Sequence, residues 1–278
     1  MDRRTFIRHT AFATGVAAIP GSVFSQAAPT VFRWVPASDL SILDPAYTTA
    51  AITASHALLV FDTLFGLDAQ YQPQPQMVER ETIEQDGLLC TLQLREGLKF
   101  HDGSPVRAQD AVASIKRFGA RNLLGQTLFS CVSSIAAKSD RVIEFKLTRP
   151  FSLLSYTLAS PAASIMPERI ALKPDNVAIK EIIGSGPFRF VADRWMSGSH
   201  VIYKKADEYR PRESGQASNT AGPKVAYVDE VRWQVIPDRA TAVATRRRTG
   251  QRVAPQARRR WRHRRWWPRS RSLRRASS

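Results

Sequence analysis

The chain has 278 residues, a hydrophobic content of 43% that is ordinary for a globular protein, and a formal net charge of +17. This length allows one large hydrophobic core or two smaller ones, and therefore one to three domains. All 24 acidic residues precede Thr245, whereas fourteen of the 41 Lys and Arg residues lie in residues 246–278. The rest of the chain is therefore nearly neutral, and the high isoelectric point says nothing about the partners of the fold.

The first 27 residues have the features of an export signal. A basic start is followed by a mildly apolar run at residues 10–19 and then by small residues. The run is shorter than the roughly 20 residues that a transmembrane helix needs. Ser25 and Ala27 fit the small-residue rule for signal peptidase, which predicts cleavage after Ala27 and a soluble periplasmic protein. The cleavage site has no cysteine, which argues against a lipoprotein anchor.

This signal resembles the twin-arginine type. Arg3 and Arg4 are followed by Phe6 and Ile7, in the order that twin-arginine signals show. The alternative is a general secretory signal that contains an Arg-Arg pair by chance. We favour the twin-arginine route.

Strand and helix patterns alternate along the mature chain, which predicts a mixed α/β architecture. Residues 30–35 alternate β-branched and aromatic side chains and predict a strand. Residues 53–65 have the apolar spacing of a buried helix, with Gly66 as its C-cap. Residues 77–83 and 88–94 predict the two strands of a hairpin with a turn at an Asp-Gly pair.

A second helix is predicted at residues 107–118, with one apolar face and Gly119 as its stop. The segment 184–188, Gly-Ser-Gly-Pro-Phe, predicts a rigid, tightly turning junction. Further patterns predict strands at residues 141–147, 188–192, 200–204 and 228–236, a short helix at 151–158, a short apolar element at 179–183 and a loop at 211–223.

Neither catalysis nor metal binding is predicted. His56 lies in a helical pattern, and we interpret it as a structural histidine. His101-Asp102-Gly103 has no Ser or Cys nucleophile beside it, and a turn in which Asp102 accepts backbone N–H bonds explains it better. Cys90 and Cys131 are not in a CxxC or a metal-ligand spacing. They could form a disulfide after export or remain buried thiols. No cofactor is expected.

Four segments, in this order, resemble the family of periplasmic binding proteins for peptides, nickel and related solutes. They are Leu43-Asp44-Pro45, residues 92–110 around Phe-His-Asp-Gly, residues 184–188 and residues 229–244. The resemblance covers about residues 30–244 and implies that residues 28–245 are the N-terminal part of a class II periplasmic-binding-protein fold with mixed sheets. Family members often have Thr where Arg107 stands, so we expect a weakened helix N-cap unless Ser104 replaces it.

The resemblance implies the solute-binding component of an ABC importer, most simply for di- and oligopeptides. Two lobes of such proteins close on the ligand, and the closed form docks on the membrane permease. We expect Tyr47, Thr48 and Thr49 to contact the ligand, because a phenol and two hydroxyls suit hydrogen bonding. The implied protein is a monomer with no nucleic-acid partner. The alternatives within the family are nickel, sugar or opine binders.

Residues 246–278 do not resemble the family. This segment is rich in Arg, Trp, Pro and Ser and has no Lys, Asp or Glu. We interpret it as the product of a shifted reading frame, which predicts that the second lobe is missing and that function is impaired. The alternative is an exported protein with a genuine arginine-rich arm that binds nucleic acid or anionic lipid.

The export hypothesis predicts that replacing Arg3 and Arg4 together with Lys blocks export, because the twin-arginine pathway requires the arginine pair. Fractionation of cells that produce the full chain measures the periplasmic share. Unchanged periplasmic accumulation of the double variant would contradict the twin-arginine hypothesis and favour the general secretory route.

Overall fold

The computed structural model describes residues 29–236 and, for the backbone only, residues 252–253. Several predictions fall outside these residues: the export signal, almost all of the tail and the end of the family-like segment 229–244. Among the described residues, no helix has both the length and the hydropathy needed to span a membrane.

The described part of the chain forms three sheets and five α-helices. The strands are β1 Val31–Val35, β2 Phe65–Leu67, β3 Pro73–Pro75, β4 Val78–Glu84, β5 Leu89–Leu94, β6 Val132–Ala137, β7 Val142–Leu147, β8 Phe188–Phe190, β9 His200–Lys205, β10 Glu230–Gln234 and β11 Arg252–Val253. The helices are α1 Ala51–Val60, α2 Ala108–Arg121, α3 Leu123–Phe129, α4 Leu154–Thr157 and α5 Glu168–Ala171. Three turns of 3-10 helix lie at Gln85–Gly87, Pro161–Ala163 and Ala192–Arg194.

The largest sheet is mixed, as the predicted fold class requires. Its strand order is β11-β1-β10-β9-β8, with β1 parallel to both β10 and β11 and the remaining pairs antiparallel. The second sheet is antiparallel in the order β4-β5-β7-β6, and β2 pairs with β3. Because Arg252 and Val253 lie opposite Trp34 and Val35, the edge strand of the mixed sheet comes from the segment that we interpreted as a foreign tail.

Two hydrophobic cores share helix α2. One core covers the four-stranded sheet and includes Val112 and Ile115 of α2. The other lies under the mixed sheet and includes Ala113 of the same helix. Burial of each large aliphatic side chain contributes roughly 1.5–3 kcal/mol. Helix α2 is therefore the element through which the two sheets are packed together.

The first predicted helix ends earlier than expected. Helix α1 stops at Val60 rather than Phe65, and Gly66 lies in β2 instead of capping a helix. The Val60 carbonyl accepts a hydrogen bond from Gly186 N at 2.9 Å, so the Gly-Ser-Gly-Pro junction packs on the last turn of α1. A Cβ at Gly184 would lie 1.9 Å from the Val60 oxygen. The junction is tight because two backbones meet there.

The second predicted helix ends later than expected. Helix α2 continues through Gly119 to Arg121. A Cβ at Gly119 would lie 2.2 Å from the Phe129 ring of α3, so glycine is needed for packing between the helices. The N-terminus is held by Asp110, whose carboxylate accepts the Arg107 N–H at 2.8 Å. Asp110 thus supplies one half of a capping box and offsets the missing Thr.

The remaining predictions are mostly confirmed. The hairpin β4–β5 turns at the predicted place, with Asp86 and Gly87 at φ values of 53° and 87°. Strand β6 was not predicted, because its small polar residues lack a clear alternation. Residues 179–183 form neither helix nor strand, although Ile179 is buried.

A buried ion pair joins the Leu-Asp-Pro segment to α2. Arg117 Nη2 lies 2.6 Å from Asp44 Oδ2, and the two side chains are 2% and 0% exposed. Asp44 also accepts the backbone N–H groups of Ala46 at 3.0 Å and Ile179 at 3.1 Å. Arg117 also donates to the carbonyls of residues 173, 174 and 177, at 2.8, 3.3 and 2.8 Å. Both charges are therefore compensated inside the protein.

We predict that Asp44→Asn lowers the free energy of unfolding by about 3–5 kcal/mol, because it leaves the Arg117 charge buried and unpaired. Urea denaturation followed by circular dichroism measures this loss. Combining Asp44→Leu with Arg117→Met should cost less than either single substitution. Glu79→Gln, which breaks a surface pair with Arg141, is the control and should cost less than about 1 kcal/mol. A loss below 1 kcal/mol for Asp44→Asn would contradict the prediction.

Candidate functional site

The predicted ligand-binding residues lie between β1 and α1, three residues after Asp44 of the buried ion pair. The backbone turns there, because Tyr47 N donates to the Asp44 carbonyl at 3.2 Å. Tyr47 and Thr48 are half-buried and Thr49 is exposed. Thr48 Oγ1 accepts the Ala50 N–H at 3.2 Å, which fixes the segment at the entrance to the helix.

The segment 47–49 lies at the N-terminus of α1. The N-cap residue is Ala50, which has no side chain for capping, and the first turn of α1 has no acidic residue. The first N–H groups of a helix point out of its N-terminus, which carries a partial positive charge. Hydroxyl groups and backbone donors therefore meet at this position, in an arrangement that suits a polar ligand with carbonyl or carboxylate oxygens.

A cation that the sequence analysis did not select lies beside the candidate site. Arg121, the last residue of α2, stacks on Tyr47 with its Cζ 4.6 Å from the ring centroid. Arg121 is exposed and forms no ion pair with the described carboxylates. Arg121 lies one turn after Arg117 on the same face of α2. This face therefore carries one arginine that is paired with Asp44 and one that has no described carboxylate partner. This i, i+4 spacing was visible in the sequence, but nothing there placed it beside Tyr47.

The two histidines considered in the sequence are structural. His56 is fully buried, and its Nδ1 lies 3.0 Å from the Tyr203 hydroxyl. His101 Nε2 donates to the Gly186 carbonyl at 2.9 Å, and its backbone N–H donates to Gly184. His101 therefore ties the turn at Gly103 to the Gly-Ser-Gly-Pro junction.

The turn after His101 has the predicted geometry. Asp102 Oδ1 accepts Ser104 N at 3.0 Å and the Ser104 hydroxyl at 2.5 Å, and Gly103 has a φ of 84°. Ser104 is thus used by the turn and does not cap α2. The interpretation of Asp102 as a turn residue is confirmed.

Cys90 and Cys131 are both buried, and neither forms a disulfide in this structure. Burial and the nearby Glu81 carboxylate raise the pKa of Cys90 to about 12, so this thiol stays protonated. Within the described residues, no three His, Cys, Asp or Glu side chains come together as metal ligands.

Solved structures with a similar fold define the fold class. The periplasmic binding protein DppA from Helicobacter pylori, solved in complex with the peptide STSA, superposes with a TM-score of 0.65. It is 24% identical to this chain, and the match covers 80% of this chain and 46% of DppA. This likeness shows the fold alone: a periplasmic-binding-protein-like α/β fold with mixed sheets.

The family follows from sequence matches. Residues 72–258 match the bacterial extracellular solute-binding proteins, family 5 Middle. A probable peptide ABC transporter periplasmic-binding protein, y4tO of Sinorhizobium fredii, is 39% identical over 249 residues, covering 86% of this chain and 47% of its own length. The glutathione-binding protein GsiB of Escherichia coli K12 is 27% identical over 210 residues, covering 74% of this chain and 38% of its own length.

The chain therefore belongs to family 5 of the bacterial extracellular solute-binding proteins. Members of this family are transport binding proteins and not enzymes. The chain spans about half the length of the relatives that it matches. The family match runs to residue 258, beyond the boundary that we predicted at residue 245.

The buried His56 predicts a pH dependence of stability. Burial lowers the pKa of His56 from 6.5 to about 3, so the folded chain keeps the ring neutral where the unfolded chain takes up a proton. The stabilisation is complete above pH 6.5 and is lost as the pH falls towards 3. Between pH 6 and 4, the free energy of unfolding of the wild type should fall more steeply than that of the His56→Gln variant. The difference in slope should be about 1.4 kcal/mol per pH unit.

Urea denaturation at pH 8, 7, 6, 5 and 4 measures this difference. The two proteins should show parallel profiles between pH 8 and 7, which serves as the internal control. Parallel profiles down to pH 4 would contradict the prediction, because His56 would then titrate alike in the folded and the unfolded chain.

Proposed function

We propose that this protein is the substrate-binding component of an ABC importer for di- and oligopeptides, working as a monomer in the periplasm. The main support for this proposal is the 39% identity, over 86% of this chain, to a probable peptide ABC transporter periplasmic-binding protein. The proposal includes export by the signal in residues 1–27 and docking of the ligand-bound form on a membrane permease.

The ligand binds at segment 47–49. The backbone carbonyls of the bound peptide accept hydrogen bonds from the Tyr47 and Thr49 hydroxyls. The partial positive charge at the N-terminus of α1 also attracts these carbonyl oxygens. A peptide carboxylate pairs with Arg121, whose charge no described carboxylate offsets. Arginine suits this role, because its planar guanidinium can bind both carboxylate oxygens.

A second lobe closes the cleft over this segment. Because the chain spans 47% of the peptide-binding relative, we expect the 278-residue chain by itself not to bind peptides in calorimetry. Micromolar binding by the chain alone would overturn the view that a second lobe is needed.

The test is a fusion of residues 1–236 of this chain to the remaining part of the Sinorhizobium relative. We predict that the fusion protein binds a panel of di- to pentapeptides, measured by calorimetry. Tyr47→Phe and Thr49→Val should each weaken binding by about fivefold to tenfold, because each removes one hydrogen bond worth about 1 kcal/mol. Arg121→Gln should weaken binding of free peptides more than binding of C-terminally amidated ones.

Ser133→Ala on β6 is the matched control and should leave the affinity unchanged. A folded fusion protein that binds glutathione, nickel or an opine but no peptide would overturn the peptide assignment. Peptide binding that is unaffected by all three site substitutions would overturn the position of the site and leave the ligand class standing.

A further inference from the structure

A groove lies apart from segment 47–49. It is a groove of about 340 Å³ between the β2–β3 hairpin and the loop at residues 212–222. Segment 47–49 precedes the N-terminus of α1, whereas the hairpin follows its C-terminus. No residue of segment 47–49 lines the groove, so the two regions are separate. The volume is at the small end of the range for ligand pockets.

The walls of this groove are held rigidly. Thr220 N donates to the Leu67 carbonyl at 2.9 Å, and Thr220 Oγ1 accepts Leu67 N at 2.8 Å. Ser218 Oγ accepts Ala69 N at 2.9 Å. A Cβ at Gly66 would lie 2.4 Å from the Thr220 carbonyl oxygen, so the hairpin and the loop are in direct backbone contact. The groove is therefore formed before any ligand arrives.

An arginine with no carboxylate partner lines the groove. Arg212 donates to the carbonyl of Val78 at 2.6 Å and to the Ser214 hydroxyl at 3.1 Å. It forms no ion pair within the described chain, and the nearby Glu79 already pairs with Arg141. Arg95 shares the Gln76 carbonyl with Arg212. Burial and the charge of Arg95 both lower the pKa of Arg212, so a bound carboxylate would relieve an existing repulsion.

A carboxylate on the hairpin also lines the groove. Asp68 Oδ1 accepts the N–H groups of Gln70 and Gln72, both at 2.9 Å, and Oδ2 accepts Gln74 Nε2 at 3.0 Å. The bond from Gln72 lowers the pKa of Asp68 most, so the group is ionised at neutral pH. Each carboxylate oxygen has two lone pairs, so Oδ2 can accept one further donor. Like Arg212, Asp68 forms no ion pair within the described residues.

We propose that this groove is a binding site for a small zwitterion of the amino-acid class. The ligand carboxylate pairs with Arg212 and its ammonium group with Asp68. The side chains of Gln70, Ser214 and Gln216 in the lining offer amides and a hydroxyl to the rest of the ligand. A simple anion is disfavoured by Asp68 and a simple cation by Arg212, so the two charges together select a molecule that has both.

The experiment uses the full chain labelled with nitrogen-15 and follows its backbone amide signals by NMR. The probes are L-alanine, L-alaninamide, which has no carboxylate, and propionate, which has no ammonium group. Alanine should give saturable shifts at Gln70 and Gln216, with both other probes binding about tenfold more weakly or worse, because each lacks one charge-assisted contact.

Variants of the groove provide the second measurement. Arg212→Gln and Asp68→Asn should each weaken alanine binding about tenfold. Lys116→Gln and Glu84→Gln, which are exposed and outside the groove, are the matched controls and should bind as the wild type does. Because Arg212 and Asp68 also hold local backbone, Gln216→Trp fills the groove from an exposed position, and it should abolish binding without lowering the melting temperature.

Three results would overturn the proposal. They are an absence of saturable shifts at the groove with any of the twenty common amino acids, equal affinity for alanine and propionate, and unchanged alanine binding by a folded Gln216→Trp variant.

Discussion

The buried ion pair between Asp44 and Arg117 is the interaction on which the candidate ligand site depends. Removing two charges from water is costly, and backbone partners of both groups offset part of that cost. Because these partners come from the turn before Tyr47 and from residues 173–179, the pair ties two separate segments to α2. The position of Tyr47, and its contact with Arg121 one turn further along α2, follows from that constraint.

Along the chain, helix α1 lies between the two regions that we propose as binding sites. Its N-terminus adjoins segment 47–49, and its C-terminal carbonyl at Val60 is bound by Gly186. His101 also binds the junction that contains Gly186. The turn at His101–Gly103 is therefore connected to the C-terminal end of α1. The contact at Val60 joins two backbone groups, and the contact from His101 joins a side chain to a backbone carbonyl, so α1 has little freedom to shift alone.

The two regions differ in how far they could be predicted. The resemblance to a solute-binding family led to Tyr47, Thr48 and Thr49 as candidate residues, but it did not lead to Arg121. Local patterns also led to errors at the helix ends: Gly66 and Gly119 were interpreted as stops, and both are required for contact with distant segments. In the sequence, a glycine that ends a helix looks the same as a glycine that allows a distant segment to pack closely. Only the neighbour distinguishes the two.

The sequence by itself determined the mixed α/β class, the family, the β4–β5 hairpin and the turn at Asp102, because each depends on residues close together in the chain or on an ordered set of motifs. Tertiary structure alone decided where α1 ends, which arginine is neutralised and which is free, and that Arg212 and Asp68 line one groove. Those features depend on pairs far apart in sequence, such as Asp44 with Arg117. Their interaction energy depends on distance and burial, and neither quantity is encoded in local spacing.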